Sequence, residues 1–444
     1  LSSETSTQTR DRMNRLPLIL LLCTVVRPPL QGQERSVTLP EAIRLAERTQ
    51  PAMVQARSQV RTAGAERRSA WGSFLPSLTA SSSASDFFAE GASRVDPVTG
   101  QLTAGNNTSR SVTTSLSASV DLFTGFRRGA ELKAARAGEA EADASLVDTR
   151  FQQALATTNQ FFDALSAAQL VAVREASVRR AEEQLSVSVA KLRAGSATRS
   201  DSLRSLVILG STRLALIQTK TDLATAEANL GRLIGEAGRV RALDDSSYVR
   251  VVTAVDTQAL RGEAEAGSPR IRSASASAEA ARANARAARS AYWPSLTLAA
   301  NTGWNASRAE DYAFLNQRQL SLRMSWSLFN GFERELTIAQ REAGYDVAQA
   351  TAEDERRAVQ AELTARLAEL DAALAKIDIT GTSVAAATED LRVQQERYRL
   401  GVSTIVDVLT SQEALNQAEV DVVNARFDYL RAKARLDALI GRTL

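Results

Sequence analysis

LFTGFRRG (Leu122–Gly129) returns as LFNGFERE (Leu328–Glu335), which places Gly125 and Gly331 206 residues apart. The same offset relates KLRAGSATRSD (Lys191–Asp201) to RYRLGVSTIVD (Arg397–Asp407), and Leu233-Ile234-Gly235 to Leu439-Ile440-Gly441. Anchors that hold one register without insertion mean a tandem duplication. Upstream the offset becomes 218, pairing Pro51 with Pro269 and Pro76-Ser77-Leu78-Thr79 with Pro294-Ser295-Leu296-Thr297. The extra residues of the first copy fall in Gly91–Asn107, which reads as a loop from Pro97, Gly100 and Gly105. Each copy thus has the order helix, hairpin, long helix, turn, helix.

Working outward, residues 34–235 form the first repeat, with a β-hairpin at 77–123 and a turn at 192–201. Residues 263–444 form the second, with a hairpin at 295–329 and a turn at 398–407. Residues 236–262 belong to neither copy. The hairpin strands alternate with period two. Leu320, Leu322, Met324, Trp326 and Leu328 share one face, and Ser321, Arg323, Ser325 and Ser327 the other. Val112 to Leu122 and Leu296 to Trp304 repeat the pattern, and Ser77 to Phe88 does so more weakly. Small polar residues on one face and apolar ones on the other suit a barrel with a wet lumen, although a half-buried soluble sheet alternates likewise. Phe87, Phe88, Trp304, Tyr312, Phe314 and Trp326 favour interfacial girdles. Four strands cannot close a barrel, so closure needs several chains.

After each LFxGF motif comes a run without strong breakers, from about Arg127 to Leu192 and from about Glu333 to Tyr398. Such a helix would reach roughly 100 Å at ~1.5 Å per residue. Leu363, Leu370, Ile377, Val384, Leu391 and Tyr398 recur every seven residues, as do Ala164, Val171, Val178, Leu185 and Leu192. The returning segments carry Leu209, Leu216, Leu223 and Leu230, then Leu415, Val422, Tyr429 and Leu436. Seven-residue spacing on both arms predicts antiparallel coiled-coil hairpins. Gly195 and Gly401 can end helices in the left-handed conformation. Thr198-x-x-Asp201 and Thr404-x-x-Asp407 are capping-box-like starts, and Thr38-x-x-Glu41 with Pro40 opens the first helix. Pro51 and Pro269 break or restart a helix in each copy.

Composition restricts function. The 444 residues are 44% hydrophobic but only 5% aromatic, and 54 basic residues are interleaved with 51 acidic ones, with no basic block for nucleic acid. The chain contains no His, which removes Ser-His-Asp and Cys-His catalysis and His metal sites. No phosphate loop is present, and Asp244-Asp245 stands without evident partners, so no catalytic, metal or cofactor site is expected. Arg10, Arg12 and Arg15 precede an apolar run, Leu16 to Val26, after Met13. Residues 1–33 are therefore read as a secretory signal with upstream residues, cleaved near Gly32. Leu22 before Cys23 argues against lipidation of that only cysteine. No other apolar run approaches ~20 residues, so a membrane role must come from strands.

RYRLGVSTIVDVLTSQEALNQAEVDVVNARFDYLRAKARLDALIG (Arg397–Gly441) closely resembles the last helix hairpin of TolC-type outer-membrane factors. TLPEAIRLAERTQPAM, the two xPSLT entries and the two LFxGF exits are similar to that family as well, from about Val37 to Gly441. The resemblance implies a mainly α fold with a small membrane β part. Three chains would form a 12-stranded outer-membrane β-barrel continued by a long α-helical periplasmic barrel. It implies a homotrimer in outer-membrane lipid, with the turns as a periplasmic tip. There a periplasmic adaptor would couple it to an inner-membrane transporter of RND, ABC or MFS type. The expected role is a passive exit duct for efflux or type I secretion, without enzymatic activity. Residues 236–262 would join an equatorial belt with the C-terminal residues. Family members close the tip near these turns. Tyr398, Asp201 and Asp407 match such positions, while Gly195, Gly401, Thr198, Thr404 and Ser403 would shape the tip and meet the adaptor. Some members carry Arg where this chain has Ser403, which removes an Arg latch at that position. A ring of Asp407 carboxylates would favour cations, although capping alone also accounts for Asp201 and Asp407. Tyr398 also fits simple heptad packing. The competing class is a secreted or periplasmic structural coiled coil without channel activity.

Overall fold

The computed structural model describes residues 35–95, 97–103, 107–244, 257–307 and 313–442. The leader with Cys23, and also Asp245 and Tyr312, lie outside the described residues. The first repeat contains β1 (Arg35–Val37), α1 (Leu39–Thr49), α2 (Pro51–Gly72), β2 (Ser77–Ala89), β3 (Arg94–Val95) and β4 (Leu102–Thr103). It continues with β5 (Asn107–Phe123), α3 (Arg127–Arg193) and α4 (Arg199–Ile234). β6 (Val240–Ala242) and α5 (Thr257–Gly267) follow. The second repeat then contributes α6 (Pro269–Ala288), β7 (Ser295–Ser307), β8 (Leu315–Ser325), α7 (Glu333–Arg399) and α8 (Ile405–Ile440). α3 and α7 have 67 residues each, about 100 Å of helix.

Each long strand leads into or out of a helix or another strand of the sheet, and the strand-to-helix junctions explain the LFxGF motif. Gly125 and Phe126 are both left-handed (φ 62° and 66°), as are Gly331 and Phe332 (φ 68° and 66°). Two successive left-handed residues swing the chain from strand into helix, and the motif confines the steric cost to one non-glycine residue. Phe126 is held by edge-to-face contacts with Phe123 and Trp293, at 5.4 and 5.9 Å between ring centroids. Phe329 and Phe332 repeat the first contact at 5.4 Å. Pro51 and Pro269 each stand at the start of a helix, where the missing N–H costs nothing. Thr38 does precede α1, but its side chain makes no capping bond. Glu41 instead accepts from Arg35 at 2.9 Å, and Arg35 also reaches Glu236, tying β1, α1 and the inter-repeat segment.

The four long strands form one antiparallel sheet in the order β2-β5-β7-β8, leaving β2 and β8 as open edges. The register sets Leu322 beside Leu298, and Leu298 beside Val120, on one face. On the other face hydroxyls meet across the strands: Ser77 with Ser119, Ser81 with Ser115 and Ser85 with Ser111, at 2.8 to 2.9 Å. Thr113 and Ser117 reach the side chains of Asn305 and Asn301 on the same polar face. The apolar face is bare, with Leu78, Leu320, Leu322 and Met324 exposed at 70%, 73%, 61% and 63%. Three expectations need correction. Phe87 lies on the polar face, opposite Phe88, because the pleat separates neighbours. β8 ends at Ser325, so Trp326 and Leu328 are outside it, and Trp326 Nε1 donates to the Tyr292 carbonyl at 3.2 Å. The 91–107 loop holds the small antiparallel ribbon β3–β4, and its last residue opens β5.

The main core sits midway along α3 and α7, where Phe161, Phe162, Leu363, Leu370, Phe427 and Leu436 are buried. Parallel pairing of Val37 with Ala242 and of Arg35 with Val240 brings the inter-repeat segment onto this belt. Asp244 is not isolated as its sequence suggested: it accepts from Gln169 at 3.0 Å and faces Arg426 at 3.7 Å. Toward the turns the repeats diverge. Leu391, Tyr398, Ile405, Val408 and Leu415 make an apolar seam in the second hairpin, with Val384 packed against it. In the first hairpin Val171, Val178, Leu185 and Leu192 are only half-buried. The buried positions are Ser177, Ala181, Gln184 and Ser188, one residue upstream of the apolar heptad or between its members. Ser188 and Ser205 hydroxyls bond across that seam at 2.9 Å. Apolar heptads in this arm mark a partly open face, and the tight contact is made by small polar residues that let the helices approach.

Candidate functional site: the helical tip

Both turns are built the same way. The N–H of Ser196 bonds the Lys191 carbonyl at 2.9 Å and that of Gly195 the Leu192 carbonyl at 3.0 Å. Val402 to Arg397 and Gly401 to Tyr398 repeat the pair at 2.9 and 3.2 Å. This double closure needs a left-handed residue, and Gly195 and Gly401 supply it with φ of 72° and 79°. The next helices start with reciprocal caps. The Thr198 N–H donates to Asp201 at 2.9 Å, and the Asp201 N–H to the Thr198 hydroxyl at 3.3 Å. The Thr404 N–H and hydroxyl both donate to Asp407 at 2.8 Å. Ser403 turns inward, its hydroxyl donating to the Gln394 carbonyl at 3.4 Å.

The Thr404 N–H, then its hydroxyl, hold the Asp407 carboxyl below the usual carboxylate range. A group depressed on folding contributes stability that is fully present above its unfolded value and lost as pH falls through the folded one. The protection factors of amides in the first turn of α8, taken relative to the intrinsic exchange rate at each pH, are therefore expected to hold from neutral pH into the ordinary carboxylate range and to fall only below it. Asp407→Asn should abolish that acid step. Thr404→Ala should loosen the same turn at all pH values, by ~1 kcal/mol. An acid step that survives in Asp407→Asn would assign it to another group.

Tyr398 is where the two repeats meet. Its side chain is 6% exposed, and burial pushes the phenol up from its ordinary range. The hydroxyl lies near Ser188 and Asp201 but meets the geometry of a hydrogen bond with neither. Lys191, which the sequence reading passed over, donates its ammonium to the Tyr398 carbonyl and sits 4.2 Å from the ring centroid. Its signal was positional: a cation in the last turn of a helix, facing carbonyls that the helix itself leaves unpaired. Beside the turns, α4 and α8 leave a groove of about 830 Å³ between Leu203, Val207, Val406 and Leu409. Val207 is 69% exposed there, so the groove is apolar and unfilled.

A second missed group is the aromatic band at the strand–helix junctions. Trp71, Phe126, Trp293 and Phe332 are 58%, 69%, 58% and 68% exposed. The Arg334 guanidinium lies 4.2 Å from the Tyr292 ring centroid and that of Arg128 5.0 Å from Phe74. Exposed aromatics with cations at one end of an amphipathic sheet are what a membrane–water boundary selects. No described helix is long and apolar enough to cross a membrane. Among the described residues no group of His, Cys, Asp and Glu is placed to hold a metal ion.

The fold is thus an open, two-faced antiparallel sheet carried on two duplicated helical hairpins. The chain belongs to the outer membrane efflux protein family, whose model matches residues 42–236 and 260–442. It is 25% identical over 319 residues to the alkaline protease secretion protein AprF of Pseudomonas aeruginosa, covering 68% of this chain and 64% of that one. It is 22% identical over 297 residues to the outer membrane protein TolC of Salmonella enteritidis, covering 65% and 60%. The matches thus span slightly less than two thirds of those relatives' own lengths. The outer membrane protein VceC of Vibrio cholerae has the same fold, with a TM-score of 0.73 at 19% identity, over 91% of this chain and 96% of that one. The chain is accordingly an outer-membrane protein with a large periplasmic part.

Proposed function

We propose that the chain is one third of a homotrimeric outer-membrane exit duct. The duct passively connects a periplasmic adaptor and an inner-membrane transporter to the exterior, for small-molecule efflux or type I secretion. The supporting observation is the sheet: four strands, two open edges, a hydroxyl-lined face and a bare apolar face. Three copies joined edge to edge give twelve strands, with serines toward water and leucines toward lipid. The same closure would arrange six helical hairpins around one axis, with Asp201, Asp407 and Tyr398 at its narrow end. The apolar α4–α8 groove beside the turns is the place for an adaptor's helices. Nothing here needs a catalytic group, and the duct's role is to provide a path.

The test of the sheet is orientation. In proteoliposomes of the Cys23→Ser background, cysteine replacing Leu320 should resist a water-soluble maleimide, and a fluorophore placed there should be quenched by nitroxide lipids. Cysteine replacing Ser321 should react from water. Equal labelling at both positions would remove the sheet from the membrane. For the tip, Asp201→Ala and Asp407→Ala should each raise leak conductance or weaken cation preference by a few-fold. Unchanged single-channel behaviour would leave the two carboxylates as helix caps alone.

A further inference from the structure

At the tip the first repeat holds the second, but the reciprocal contact is missing from the single chain. Lys191 crosses from the end of α3 to the Tyr398 carbonyl. That carbonyl already accepts the Gly401 N–H at 3.2 Å, and the lysine adds a charged donor from the other repeat. The repeat offset of 206 maps Lys191 onto Arg397 and Tyr398 onto Leu192. Arg397 is exposed; its guanidinium makes no hydrogen bond or ion pair among the described residues, and within the chain its charge acts on the Asp407 carboxyl. The Leu192 carbonyl accepts the Gly195 N–H at 3.0 Å and has the Ala194 N–H directed at it, as the Tyr398 carbonyl has those of Gly401 and Leu400, but no side chain is added to it as Lys191 is to Tyr398. Donor and acceptor of the second contact are therefore both present at the tip of one chain but are not joined to each other.

The helix faces repeat this asymmetry. Arg180 of α3 donates to Asn416 and Glu419 of α8 at 2.9 and 3.0 Å, which marks the face of α8 that α3 covers. On that side Gln412 and Val423 are 2% and 8% exposed. Their equivalents on α4, Leu206 and Ile217, are 52% and 62% exposed. What α3 does for α8 within a chain, only α7 of another copy is equivalent to do for α4.

We infer that Arg397 is an intersubunit clamp of the tip. It donates from the last turn of α7 to the Leu192 carbonyl of the adjacent copy, as Lys191 does to Tyr398 within one copy. The partner is a second copy of this chain, so the inference rests on the ring reading above. A guanidinium suits the position because its planar fork can address a helix C-terminus with two donors, where the negative end of the dipole and unpaired carbonyls gather. Three Lys191 contacts and three Arg397 contacts then alternate around the closed end, so that each repeat holds the next.

The test uses the full trimer in planar bilayers and, separately, a crosslink. Arg397→Met should raise mean single-channel conductance or open probability several-fold, and Arg397→Lys should stay near wild type. In the Cys23→Ser background, Arg397→Cys combined with Leu192→Cys should be joined by a short bis-maleimide into covalent dimers and trimers. Either single cysteine should leave monomers. Wild-type conductance in Arg397→Met trimers, or a double-cysteine trimer that yields only monomer bands, would overturn the clamp while leaving the duct intact. If Arg397→Met does not assemble, the crosslink still decides. A wild-type chain that is monomeric in detergent would instead overturn the ring itself.

Discussion

Leu322→Arg is expected to cost ~2–4 kcal/mol of stability in lipid and to reduce assembled protein severely. Leu322 lies in the row Val120, Leu298, Leu322, on the face whose leucines have no protein neighbour above them. If that face meets hydrocarbon near mid-depth, a guanidinium there must thin the bilayer or pull the sheet toward the headgroups. Ser321→Arg, one residue away, points to the hydroxyl-lined side and should assemble with little loss. The comparison is internal, because both substitutions add the same side chain to the same strand. Urea midpoints in vesicles and the fraction of trimer recovered from membranes measure the difference. Normal assembly of Leu322→Arg together with failure of Ser321→Arg would invert the assignment of inside and outside.

Gly125→Ala and Gly331→Ala should differ, although they occupy equivalent places in the two repeats. Both glycines are left-handed, which costs an alanine about 1–2 kcal/mol. At Gly331 a methyl group meets nothing within 4 Å, so that cost is the whole effect. At Gly125 it would stand 2.4 Å from Trp293 Cβ and 2.8 Å from the Ser290 carbonyl oxygen. Neither neighbour can yield without moving the backbone between α6 and β7. Overpacking of that kind adds ~1–3 kcal/mol, for a total of about 2–5. Thermal unfolding of the two variants should therefore separate clearly, with Gly125→Ala the weaker. Equal losses would mean that the first junction repacks freely around Trp293.

The mainly helical, duplicated architecture was legible because it is written in periodicities that survive any tertiary context. The LFxGF and Gly-x-x-Thr-x-x-Asp anchors recur in register, and among the described residues proline stands only at the junctions, the helix starts and in the 91–107 loop. Both tip caps could be read from four residues each, since a capping box is a local structure. The first-repeat seam was not legible, because the buried row Ser177, Gln184, Ser188 carries no hydrophobic signal. Its apolar neighbours Val178 and Leu185 carry one but lie half-exposed. Phe87 was assigned with Phe88 by type alone, when the pleat sends them to opposite faces. Asp201, Asp407 and Tyr398 could be named from motif position, but what holds Tyr398 could not. Its partner Lys191 is 207 residues away, and the contact is to a backbone carbonyl, which no residue pattern announces. Arg397 lies one step further, since its partner belongs to another chain.

Three chains are proposed to form a closed, gated duct. Planar-bilayer conductance of the detergent-purified protein, recorded with its native mass, tests this most directly. A trimer with small, cation-preferring conductance that rises in Asp407→Ala is expected. A water-soluble monomer or dimer without conductance would contradict it and leave a plain helical coiled coil.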